Sequence, residues 1–155
     1  MGCLKIRGHF LNSKETKEIK KKLVEQFGFS GELDYAFHMT DKNKVFIVNR
    51  DIDKLDLDSL RLQSVGLYFC EDYGTELRLS IEGSQIVGPK ATKGIIELDK
   101  VQSRQWLKGF DLELEGANKQ FVIVKSGDEY LGCGKHKDNK LLNYLPKERR
   151  INASD

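Results

Sequence analysis

Two prolines, three cysteines and one tryptophan are all that a chain of 155 residues holds of these types. No uninterrupted apolar run approaches the ~20 residues needed to cross a bilayer, which excludes a transmembrane helix. Cys3, Cys70 and Cys133 are odd in number and far apart, with no C-x-x-C pair. That pattern supports neither a disulfide framework nor a zinc ribbon, and reduced cysteines fit a cytoplasmic protein. The start Met1-Gly2-Cys3-Leu4-Lys5-Ile6 lacks the apolar core of a signal peptide. Ile6 stands where a myristoylation start needs Ser or Thr. Charge of one sign is also missing. Lys and Arg number 26 against 24 Asp and Glu, a net +2, which is no compositional mark of a nucleic-acid binder.

Aromatic and apolar residues are sufficient. Eight Phe, five Tyr and 39% apolar residues describe a folded chain rather than a disordered one. The length allows one domain or two small ones, with a core that needs no staples. The charge is unevenly spread. Residues 1–88 carry 13 basic and 14 acidic side chains, and residues 89–155 carry 13 and 10, so the C-terminal part is the more basic.

Local signals order the chain. Asn12-Ser13-Lys14-Glu15 predicts a capped helix start, Ile19, Leu23, Val24 and Phe27 recur at helical spacing, and Gly28 suits the stop. Lys20, Lys21 and Lys22 on this helix are a solvated face or a phosphate-contacting edge, diluted by Glu15, Glu18 and Glu25. Tyr35–Met39 and Val45–Val48, with Asp41-Lys42-Asn43 between them, predict a hairpin. The acidic stretch 51–58 suits a short helix and lacks the Gly and terminal Glu of a calcium loop. Leu60–Cys70 and Glu76–Ile81 read as strands, the second from the alternation of Leu77, Leu79 and Ile81 with Arg78, Ser80 and Glu82. Gly83, Gly88 and Pro89 mark a break, and a domain boundary is expected near Gly88-Pro89.

Beyond it, Ile95–Leu98 reads as a strand and Asp99 as the cap of a short helix through Trp106 and Leu107, stopped by Gly109. Leu112 to Leu114, Phe121–Val124, Tyr130–Gly134 and Leu141–Leu145 are further short strands, the third broken by glycines. Many short strands, one helix and corner glycines predict a small barrel.

Chemistry-bearing motifs are few. No G-x-x-x-x-G-K-[ST] loop and no G-x-S-x-G elbow occurs, and Gly132-Cys133-Gly134 fails as a dinucleotide motif. His9, His38 and His136 pair with no other ligand at metal spacing. The feature that stands out is Lys135–Arg150, where Lys135, Lys137, Lys140, Lys147, Arg149 and Arg150 outweigh Asp138 and Glu148. Tyr144 sits among these cations. Arg forks and Lys charges meet phosphates, and an aromatic stacks an unpaired base. The apolar stretch 141–145 argues that the segment is folded, which fixes its cations on one surface.

These residues carry a resemblance. Strand 95–98, the helix with Arg104-Gln105-Trp106-Leu107-Lys108-Gly109, the run Phe121–Lys125 and Gly127-Asp128-Glu129-Tyr130-Leu131-Gly132-Cys133-Gly134 resemble a PUA domain, a small pseudo-barrel of RNA-modification and ribosome-biogenesis proteins. The tail Leu142–Arg150 is similar to the end of the C-terminal domain of Fmu-type ribosomal RNA cytosine-5 methyltransferases. The first 88 residues, with Arg78-Leu79-Ser80-Ile81-Glu82-Gly83 before the junction, resemble small stand-alone archaeal PUA proteins of the ribosome-biogenesis type. A eukaryotic factor for large-subunit ribosome assembly shares that layout. Unlike the methyltransferases, the chain has no room for a cofactor-binding catalytic domain and lacks their catalytic Cys motif. The resemblance therefore implies RNA recognition without methyl transfer. It implies RNA contacts at Lys135, Lys137, Lys140, Lys147, Arg149 and Arg150, with Lys90, Lys93, Arg104 and Lys108 in a second tier.

The expectation is an α+β chain: an N-terminal α/β domain, an antiparallel sheet with helices, over 1–88, and a PUA-like β-barrel over 89–155. It binds structured ribosomal RNA or its precursor in ribosome biogenesis or RNA modification, with transfer RNA as the second candidate. No reaction, cofactor, metal, membrane or DNA is expected. One rival is an adaptor that docks a ribosome-assembly factor or RNA methyltransferase. The other is a small enzyme using the acidic stretch 51–58.

Overall fold

The computed structural model describes residues 8–50 and 66–152. The acidic stretch 51–58 and the first residues of the strand expected over 60–70 lie outside them. Two five-stranded sheets organise the rest.

The first sheet is an antiparallel meander of β1 (His9–Phe10), β2 (Ala36–Met39), β3 (Lys44–Val48), β4 (Gly66–Asp72) and β5 (Leu77–Leu79), in that order. Helix α1 (Ser13–Phe27) packs on it. Its start is the expected capping box, in which the Asn12 side chain accepts from the Glu15 amide and the Glu15 carboxylate accepts from the Asn12 amide. Gly28 ends it at φ 60°, in the left-handed region that favours glycine. Ile19, Leu23 and Phe27 then meet Phe37, Val45, Phe69 and Leu77 in one core. The hairpin of β2 and β3 is as expected, with Asn43 at φ 63° in its turn.

The strand expected to run to Ile81 stops at Leu79. Ser80 takes over as a helix cap: its hydroxyl accepts from the Gly83 amide, and α2 (Ile81–Val87) follows. Three residues of the alternation Leu77, Leu79, Ile81 do not separate a strand from a strand-to-helix switch. Gly83 lies so close to Phe69 that an added Cβ would meet the Phe69 carbonyl oxygen at 2.1 Å. The glycine therefore lets α2 lie down on β4 rather than marking a break. A 3-10 turn, Gly88–Lys90, leads on.

The second sheet has the order β6-β8-β9-β10-β7, from β6 (Ile95–Glu97), β7 (Leu112–Glu113), β8 (Val122–Ser126), β9 (Glu129–Lys137) and β10 (Lys140–Asn143). Only the β6–β8 pair is parallel. Its crossover contains α3 (Lys100–Leu107), capped by Asp99 and Gln102 in a second reciprocal box. This sheet forms a PUA-like half-barrel around Trp106, which is fully buried with Leu98, Leu112, Val122, Val124 and Leu141. The expected break in strand 130–134 is absent: β9 is continuous, and its glycines serve close approach. Gly134 lies beneath the Trp106 ring, and Gly132 adopts φ 101°.

The two sheets share a core. In β8, Val122 and Val124 face Trp106, while Ile123 joins the cluster of the first sheet, as does Cys133 of β9. Burial on both faces explains the unbroken run Phe121–Val124. The buried Gln26 side chain of α1 latches the sheets: its amide nitrogen donates to the Leu77 carbonyl (2.9 Å) and the Phe121 carbonyl (3.0 Å), and its oxygen accepts from the Leu77 amide (2.8 Å). Among the described residues no helix is long and apolar enough to cross a membrane.

Candidate nucleic-acid interface

The cations named from the sequence fall into separate groups. Lys137 and Lys140 are paired residues at the exposed tip of the β9–β10 hairpin. The turn between them, Asp138-Asn139, has φ 52° and 63°, conformations that Asn and Asp tolerate best among residues with side chains. Lys140 lies 3.8 Å from Glu113, with 55% and 81% of the two side chains exposed. Such a pair leaves the charge available to a ligand.

A second group gathers beyond the other end of β10. Pro146 opens a 3-10 turn, Lys147–Arg149. The Ile151 amide donates to the Leu107 carbonyl and ties this tail to the end of α3. Lys108 caps α3, one turn after Arg104. The Arg150 stem runs over Gly109, whose φ of 93° and lack of a Cβ permit the contact, and its Nε donates to the Leu145 carbonyl. Lys90 and Lys93 stand elsewhere, by the C-terminal end of α1: the Lys90 carbonyl accepts from the Ser30 amide, and the Lys93 amide donates to the Phe27 carbonyl.

Lys135 and Arg149 meet carboxylates at hydrogen-bond distance. Lys135 donates to both oxygens of Glu76 at 3.0 Å, sits 4.7 Å from the Phe121 ring centroid, and is only 22% exposed. Glu76 also accepts from the Phe121 amide at 2.8 Å. The ammonium thus joins β5 to β9 and β8, turned away from solvent. Arg149 reaches Glu82 of α2 at 2.9 Å, so the tail is pinned to the first half of the chain. Arg149 and Arg150 are not equivalent: Arg149 meets the Glu82 carboxylate, and Arg150 Nε donates to the Leu145 carbonyl. Lys22 of the triple-lysine run is likewise taken up, by Asp72 at 2.9 Å.

Between the sheets lies a cleft of about 410 Å³ that no sequence motif announces. Lys44, Tyr68, Arg78, Glu82, Tyr144 and Arg149 are among its lining. Arg78, Leu79, Ser80, Ile81 and Glu82, where the first sheet passes into α2, line it in sequence. The Arg78 guanidinium lies 5.1 Å from the Tyr144 ring and 5.8 Å from the Tyr73 ring, and bonds Glu71 at 3.2 Å. Phe121 stacks on Tyr73 and meets Tyr144 edge to face, 5.1 Å between centroids. Burial raises the Tyr68 phenol above its ordinary range, against the opposing effect of its hydrogen bond with Arg78. Burial also pushes the Cys133 thiol, at the cleft wall, up to about 12. A thiol held neutral in this way is no nucleophile. Among the described residues no cluster of His, Cys, Asp or Glu is arranged to hold a metal ion.

Comparison with known proteins bears on the second sheet first. Residues 93–151 match the family model of the methyltransferase RsmF PUA domain. The chain is 27% identical over 136 residues to the ribosomal RNA small subunit methyltransferase F of Vibrio cholerae serotype O1 (strain M66-2), covering 87% of this chain and 28% of that protein. The protein of the same name from Shewanella oneidensis (strain ATCC 700550) is 27% identical over 137 residues, 87% of this chain and 28% of its own length. That from Aeromonas salmonicida (strain A449) is 32% identical over 91 residues, 57% of this chain and 19% of its own length. The chain thus spans less than a third of the curated relatives it matches. An alignment of 136 residues does not fit within residues 89–155, so the likeness to the Vibrio protein also takes in the meander part. Over residues 93–151 the chain matches the PUA domain of RsmF methyltransferases, the resemblance that its helix, Gly-Asp turn and glycine-punctuated strand carry.

Proposed function

We propose that the chain binds structured RNA, ribosomal RNA or its precursor, as the recognition part of an rRNA-modification or ribosome-assembly activity in the cytoplasm. The observation that carries this reading is the placement of exposed cations on the PUA unit. Lys137 and Lys140 stand at the hairpin tip, and exposed Lys147 and Arg150 with half-buried Lys108 stand where the tail crosses the end of α3, beside Arg104. Lys90 and Lys93 extend the set. Tyr144, 39% exposed, adds a stacking surface. Lys135 and Arg149, with carboxylate partners, act on the interface by holding it in shape. Residues 1–88 and 89–155 are the two units, the first bracing the second. The chain works by docking, with no bond made or broken. The likeness to small-subunit rRNA methyltransferases supports the choice of rRNA, and the match of residues 93–151 to their PUA domain supports a recognition role.

Salt dependence tests this. With Lys137, Lys140, Lys147 and Arg150 on phosphates, log affinity for a single-stranded fragment of small-subunit rRNA falls with log salt at a slope of about −3, from about −0.7 per contact. Replacing Lys137, Lys140 and Lys147 by Gln reduces the slope by about 2, whereas Lys135→Gln lowers the melting temperature and leaves the slope unchanged. A flat salt response in the unaltered protein refutes phosphate docking.

A further inference from the structure

We infer that the cleft between the two sheets receives one unstacked nucleobase of the bound RNA. This rests on the RNA-binding reading above and adds to it a specific base-recognition site at the junction of the halves. Its volume of about 410 Å³ lies in the range of pockets that enclose small organic ligands. Its lining is what a base requires. Tyr68 of the first sheet and Tyr144 just after the second line it together, and the Arg78 guanidinium lies over the Tyr144 ring. Aromatic and guanidinium planes stack any base.

The charges of the lining select among ligand classes. Lys44, Arg78 and Arg149 exceed Glu82 and Glu148 by a single positive charge. Arg78 and Arg149 are already bonded to Glu71 and Glu82, so a free anion finds little uncompensated charge there. A neutral base with its phosphates outside fits better. Lys44, over the Tyr68 ring at 5.6 Å and with no carboxylate partner among the described residues, is placed for one of those phosphates. Carboxylates accept from exocyclic amino groups, so adenine, cytosine and guanine are favoured over uracil, which has none. The site draws on both sheets, with Tyr68 and Arg78 from the first and Tyr144 and Arg149 following the second, so it exists only when they are docked.

The test uses the full chain and an RNA hairpin carrying 5-iodocytidine at one unpaired loop position. Irradiation gives adducts on Tyr68 or Tyr144, and Tyr144→Ala lowers affinity for the hairpin about tenfold with an unchanged salt slope. Tyr144→Phe binds as the unaltered protein does, and a cytidine in the loop binds more tightly than a uridine. Adducts found only outside the cleft, or a folded Tyr144→Ala protein that binds like the unaltered one, overturn the base site while leaving phosphate docking intact. If Tyr144→Ala does not fold, the adduct position in the unaltered protein decides. A protein that binds no RNA hairpin at all overturns both readings.

Discussion

At the scale of single residues, buried polar groups are the most constrained. Gln26 satisfies three backbone groups from two distant segments, and each would be left without a partner by an apolar replacement. Gln26→Leu conserves volume yet costs about 1–3 kcal/mol or more, the penalty of stranding buried donors and acceptors. Urea unfolding of the variant shows a lower midpoint with little change in slope. Gln26→Glu is worse still, because one carboxylate oxygen faces two carbonyl oxygens where an amide donated. Lys135 teaches the same lesson in reverse. From sequence it is one of six cations in a basic run, and only the fold shows that Glu76, 59 residues away, takes its charge. Local charge counting has no access to such a pairing, so the run read as one surface divides into a hairpin tip, a tail and an internal brace.

At the scale of elements, what could be read locally is what local chemistry determines. Both capping boxes, Asn12 with Glu15 and Asp99 with Gln102, bring donor and acceptor within four residues, and both helices start where those residues stand. The β2–β3 hairpin follows from its turn. Strand β9 was harder, because glycines usually weaken a strand, and the reason for these lies in another element. Gly134 has Trp106 of α3 above it: an added Cβ would meet the indole at 2.7 Å and the Leu142 carbonyl oxygen at 3.0 Å. Gly134→Ala forces the ring or β10 to move and costs about 1–3 kcal/mol, as overpacking does. Thermal unfolding of this variant shows a lower melting temperature. Gly127→Ala at the β8–β9 turn has open space around its Cβ and is strained only by its φ of 60°, so it costs less. Helix α2 was missed because Ser80 serves equally as the polar member of an alternating strand and as a helix cap.

At the scale of the whole molecule, the second sheet has its own cluster around Trp106 and also closes the core of the first sheet. Ile123 and Cys133 pack with Phe69 and Leu77, and Tyr130 lies on Gly88. The apolar side chains of residues 89–155 thus pack partly among themselves and partly against the first sheet. The fragment 89–155 exposes those that meet the first sheet and melts below the intact chain, which unfolds in one cooperative transition. Two separated calorimetric transitions in the intact chain, one matching the fragment, refute this coupling. The latch also has a consequence in time. Gln26 waits for the carbonyl of Phe121, 95 residues further along. At a synthesis rate of about 5–20 residues per second, that partner leaves the ribosome about 5–20 s after α1 does. For that interval α1 and its sheet have neither their inter-sheet hydrogen bond nor Ile123 to close their core, so the newborn first half is an open apolar surface until the second arrives.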